Sequence, residues 1–168
     1  CLADEKLKLI SVFDDLKYDR SDLDMMSPAM RQHAIKHLKP LEFKQVSGNV
    51  LLHEDSNTRC LIPKFHALGA SPFDIIRYTP REKGDFYILT PTQTACQYVN
   101  HYSLDEAVEK AKALIIRQPI NLYKMLDYLE HKPKHQEFSK AIGHLRLIQR
   151  EAVASEPLKT RRALGSMV

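Results

Sequence analysis

The chain has 168 residues, 43% of them hydrophobic and 27% charged, with a net charge of +4. That is about one domain of ordinary globular composition, which excludes collagen-like, mucin-like and wholly disordered classes. No apolar run approaches the ~18 residues of a membrane span, and three cysteines, an odd number, suit a reducing, cytoplasmic setting.

The opening Cys1-Leu2-Ala3-Asp4-Glu5-Lys6 lacks the flexible tether of an acylated lipoprotein, so the expectation is a domain excised from a longer protein. Leu9, Val12, Phe13 and Leu16 fall at the i, i+3, i+4, i+7 spacing of one apolar helix face, with Asp4 and Glu5 near its start. Ser27-Pro28 is an N-cap followed by a proline at the first helical position. Met30, Ala34 and Leu38 then stack along a second helix that Pro40 stops.

From 41 onward the pattern turns to strands. The run 41–46 alternates and ends at the turn Gly48-Asn49, and 50–54 and 58–62 form a hairpin about Asp55-Ser56-Asn57. Pro63, Gly69 and Pro72 mark an irregular connection. A second hairpin is expected from 73–79 and 85–90 about the turn 80–84. The segment 90–102 reads two ways. Thr90-Pro91-Thr92-Gln93 is a capping box, which makes 91–100 a helix, whereas the β-prone 96–102 makes a third strand. The strand is preferred, because 102–107 reads as a strand entering a capped helix.

After 103 the chain is helical. Ser103 and Glu106 form a capping box, and Ala107, Ala111, Leu114 and Ile115 the first apolar face. Pro119 ends that helix; Leu122, Met125, Leu126 and Leu129 define the next, and beyond Pro133 come Phe138, Ile142, Leu145 and Ile148. The expected fold is a single α+β domain over 1–154, helical over 1–40, strand-rich over 41–102 and helical over 103–154. Its antiparallel sheet spans about 41–101, with two helices before and three after. Residues 155–168 are expected to form a flexible basic tail.

Catalytic and metal chemistry find little support. His33 and His37 share a helix face at the i, i+4 spacing zinc can use, but Ala34 stands where a metalloprotease carries its glutamate. They are read as two histidines on a solvated face, with no metal and no cofactor. His131 and His135 flank the helix-breaking Pro133. Cys60 lies opposite a strand containing His53, and Cys96 lies near His101, yet neither has the helix N-terminus that stabilises a thiolate. Five glycines, none spaced as a phosphate loop, argue against a P-loop or Rossmann site.

Charge is divided between the ends. Residues 1–24 carry seven acids and four bases, while residues 131–168 carry eight bases and three acids. Such asymmetry reads in two ways: the two ends neutralise each other in the fold, or the basic end is a surface for nucleic acid or an acidic partner. The hairpin Ile76-Arg77-Tyr78-Thr79 to Phe86-Tyr87-Ile88-Leu89, followed by Tyr102-Ser103-Leu104-Asp105-Glu106-Ala107, resembles small sheet-plus-helix DNA readers such as the plant AP2 domain and the arm-binding domains of phage integrases. The resemblance covers about a quarter of the chain and implies DNA contact through the sheet, although no tryptophan is present. With 91–100 helical, the segment 91–116 reads instead as a helix-turn-helix containing Ala95 and Val108, its turn lacking the usual glycine.

The expected function is therefore a non-catalytic nucleic-acid-binding module. Arg77, Arg81 and Lys83 on the hairpin, with Arg146, Arg150, Arg161 and Arg162 near the C-terminus, would neutralise phosphates. The alternatives are an adaptor for an acidic protein or a second copy of the chain, and an enzyme using Cys60 or Cys96 with a histidine.

Overall fold

In the computed structural model, which describes residues 1–13, 26–63 and 79–155, the chain opens with a hairpin. Strands β1 (Leu2–Asp4) and β2 (Leu9–Ser11) pair antiparallel, where a helix with Asp4 and Glu5 in its first turn and Leu9 to Leu16 on its apolar face was expected. Leu9 and Ser11 are both buried, the two-residue period of a strand. Leu9 joins one apolar cluster, Val12 and Phe13 another, so the spacing that imitates a helix face is shared between two cores. Leu16 lies outside the described residues.

The second expected helix is present as α1 (Pro28–Leu38). Ser27 Oγ accepts the Met30 N–H, and Met30, Ala34 and Leu38 are buried. After a short 3-10 turn come β3 (Phe43–Ser47), β4 (Val50–His53) and β5 (Thr58–Leu61), paired antiparallel in sequence order. Strand β6 (Phe86–Ile88) follows Gly84, whose φ of +106° suits a residue without a Cβ.

The six described strands form one sheet in the order β1-β2-β6-β5-β4-β3. It is mixed rather than antiparallel, because β6 runs parallel to both of its neighbours, β2 and β5. With both edges occupied, β6 offers no place for a hairpin partner. The other strand of that expected hairpin, 73–79, lies outside the described residues except for Thr79.

The segment after β6 is helix α2 (Pro91–His101), which corrects the preferred strand and removes the three-stranded meander on which the resemblance to sheet DNA readers rested. Local chemistry decides it. Thr90 Oγ1 accepts the Gln93 N–H, and Gln93 Oε1 accepts the Thr90 N–H, so two otherwise orphaned donors are satisfied. The helices α3 (Leu104–Arg117), α4 (Leu122–Leu129) and α5 (His135–Ser155) follow, with Ala107, Ala111, Leu114 and Ile115 buried on α3 and Phe138, Ile142 and Leu145 on α5. The fold class is α+β. No helix among the described residues is long and apolar enough to cross a membrane.

Two cores result. Helix α1 covers one sheet face through Val12, Phe13, Leu51, Cys60, Ile62 and Ile88, while α2 to α5 gather about Tyr98, Leu114, Met125 and Phe138. A buried carboxylate fastens the first hairpin to the helices. Asp4 accepts the Tyr102 hydroxyl at 2.8 Å, the Lys110 ammonium at 2.8 Å and the Leu7 N–H at 2.8 Å. Burial pushes its carboxyl up, but the bonds from Lys110, Leu7 and Tyr102 outweigh that and hold it below the ordinary aspartate value. The hydrogen bond to Asp4 raises Lys110 in turn, so both partners keep their charge.

Candidate nucleic-acid interface

The seven bases expected to bind nucleic acid separate into three groups. Arg77, Arg161 and Arg162 lie outside the described residues. Arg81 and Lys83 sit in the turn before β6, and Arg146 and Arg150 on α5. The turn and α5 are different parts of the structure, and they present different chemistry.

Arg81 is already engaged. Its fork donates to the carbonyls of Lys8 at 3.0 Å and Leu7 at 3.1 Å, and its guanidinium lies 4.4 Å from the Tyr87 ring centroid. It closes the β1–β2 turn over the sheet. Lys83 is exposed, but Glu82 and Asp85 flank it and both pair with Arg59. Arg81 is thus committed to holding the fold, and Lys83 stands among acids that Arg59 already binds.

On α5 the arginines are exposed, and neither is ion-paired among the described residues. They are four residues apart, one helical turn or ~6 Å along the axis. Helix α5 is held by its opposite face, packing against α3 and α4, which fixes the outward direction of both side chains. Sequence reasoning missed the third member of this surface, Tyr123, which is 64% exposed at the start of α4. The Arg146 guanidinium lies 5.5 Å from its ring centroid, within cation–π range. Tyr123 sits among Leu122, Met125 and Leu129, which are buried, so its sequence neighbourhood looked like core.

By contrast, the described salt bridges all fall between residues 4 and 112, where Lys8, Lys44, Arg59, Lys110 and Lys112 each meet a carboxylate. Arg146 and Arg150 take part in none of these. A groove of about 750 Å³ between α3 and α5 has Leu104, Val108 and Ala141 among its lining, with Asp105, Glu109 and Glu137 opposed by Lys112 and Lys140. Its mixed sign does not select an anion.

The helix-turn-helix reading finds its two helices in α2 and α3 but not its surface. Residues 91–99 are all buried, and the exposed positions in the first turns of α3 are Asp105, Glu106 and Glu109. A recognition helix reads bases with its N-terminal residues, and acids there repel the phosphates on either side.

Cys60 and Cys96 are both buried, and the histidines considered with them, His53 and His101, turn Nδ1 to Ser56 and to the Gln97 carbonyl. Burial, with Asp85 adding to it, pushes the Cys60 thiol up to about 12, so it is protonated at neutral pH. Cys96 is buried in α2 rather than in a strand. His33 and His37 stack at 5.1 Å and are half-buried rather than on a solvated face; His33 Nε2 donates to the Val12 carbonyl at 2.9 Å. Among the described residues, no group of three His, Cys, Asp or Glu side chains is placed to hold a metal.

Compared with family models, curated proteins and solved structures, the chain matches none.

Proposed function

We propose that the protein is a non-catalytic module that binds nucleic acid through the outer face of α4 and α5. The observation that supports this reading is the pair Arg146 and Arg150, exposed one turn apart and without a carboxylate partner among the described residues. Guanidinium groups free of internal ion pairs are available to phosphate, and Arg matches phosphate with two parallel N–H donors. Binding would be driven by release of counterions as each phosphate is neutralised.

The test is a salt titration by fluorescence anisotropy. Each neutralised phosphate contributes a log–log slope of roughly −0.9 on duplex and −0.7 on single strands. Reversing both charges, Arg146→Glu with Arg150→Glu, should flatten the slope by up to two contacts, about 1.4 to 1.8. Reversing the exposed Lys36 and Lys39 at the end of α1 should leave it unchanged. Equal effects from the two pairs would reduce the attraction to general basicity and end the proposal. An adaptor role is the second reading, favoured by the exposed apolar side chains Ile116 and Leu147 on α3 and α5.

A further inference from the structure

We infer that Tyr123 is a stacking platform for an unpaired base, so that the α4–α5 face prefers single-stranded to duplex nucleic acid. The inference rests on the nucleic-acid reading above and goes beyond it in naming the form of the ligand. Tyr123 is a large aromatic held at a fixed place: Asn121 caps α4 by accepting the Lys124 N–H, and Leu122 and Met125 anchor the helix in the core on either side. The ring is nonetheless 64% exposed. Beside it, Arg146 supplies a cation 5.5 Å from the ring centroid, and Arg150 follows one turn along α5.

An open ring next to unpaired guanidinium groups is the combination single strands use. Their bases can be splayed out to lie on an aromatic face while arginines hold the backbone, and stacking tolerates any base because every base has a π-face. In a duplex the bases are already stacked on one another, so the ring gains nothing from it.

The experiment compares a fluorescein-labelled oligothymidine with a labelled duplex at one salt concentration, using the full chain, Tyr123→Ala, Tyr123→Phe and the Arg146→Glu/Arg150→Glu double variant. Circular dichroism checks that each variant is folded. The wild type should bind the single strand more tightly than the duplex. Tyr123→Ala should weaken single-strand binding about 5- to 150-fold, the range for one stacked base, and Tyr123→Phe should restore most of it. Duplex binding should change less than about twofold in either tyrosine variant. If Tyr123→Ala binds the single strand as the wild type does while the double arginine variant loses both ligands, stacking is refuted and the phosphate-binding face stands. If the wild type binds neither ligand, both readings fall and an acidic protein becomes the partner to seek.

Discussion

Removing the Asp4 carboxylate tests how the first hairpin is fastened to the helices. In Asp4→Ala the Tyr102 hydroxyl is left buried without its acceptor, and the Leu7 N–H, half-buried, loses its partner as well. A buried donor so orphaned costs ~1–3 kcal/mol. Lys110, 38% exposed at its side chain, turns to water, so its share of the ion pair is screened to ~1 kcal/mol or less. The sum is a loss of ~2–5 kcal/mol, a large part of the ~5–15 kcal/mol of a typical domain. Asp4→Asn, which keeps one acceptor oxygen, should lose less. Urea unfolding followed by circular dichroism measures both. The pH dependence adds a second readout. Asp4 lies below its ordinary 3.8 in the folded protein, so its contribution is present above that pH and is lost as pH falls through the folded value. Below pH 3.8 the wild type should therefore lose its advantage over Asp4→Asn. A cost under ~0.5 kcal/mol for Asp4→Ala, or an unchanged gap between wild type and Asp4→Asn at low pH, would refute the account.

Two further outcomes follow from single residues. Gly143 lies inside α5, and a Cβ there meets nothing within 4 Å, so Gly143→Ala should stabilise by ~0.5–1 kcal/mol and raise Tm by ~1–4 °C in a thermal melt; a lower Tm would contradict the helical assignment. Iodoacetamide at neutral pH, with modified peptides read by mass spectrometry, should label the exposed Cys1 ahead of the buried Cys60 and Cys96, and labelling of Cys60 at the rate of the urea-unfolded chain would remove the core assigned to it.

The parts of the fold written in local chemistry were legible in the sequence. Ser27-Pro28, Ser103 with Glu106, and the apolar stripes of α3, α4 and α5 all mark elements the structure contains. The same kind of signal at Thr90 and Gln93 was outweighed by the β-prone residues from 96 to 102, yet the cap prevails. Helix α2 is buried nearly all round, including Thr92, Gln93 and Gln97, so no polar face advertised its period. Strands of three residues such as β1, β2 and β6 are too short for alternation to mark them in the sequence, and the parallel pairing of β6 with β2 and β5 is decided by tertiary contacts. For the candidate interface, counting charge found Arg81, Arg146 and Arg150 alike. Only folding separates the arginine bound to the Leu7 and Lys8 carbonyls, more than seventy residues away, from those left open to solvent.

Because β6 lies between β2 and β5, the sheet cannot close in the order in which the chain is synthesised. The β4–β5 hairpin can pair as soon as it emerges, but Leu9 must wait for Tyr87, whose N–H donates to the Lys8 carbonyl, before β2 has a neighbour on that side. Asp4 waits longer still, for a tyrosine 98 residues downstream. The β1–β2 segment is thus secured only by residues far downstream, and contacts of such separation slow folding because the intervening loop must be ordered before they form. Through that interval Leu9, Val12 and Phe13, all buried at the end, remain open to water and to other chains. Those three side chains are where misassembly of this fold would begin.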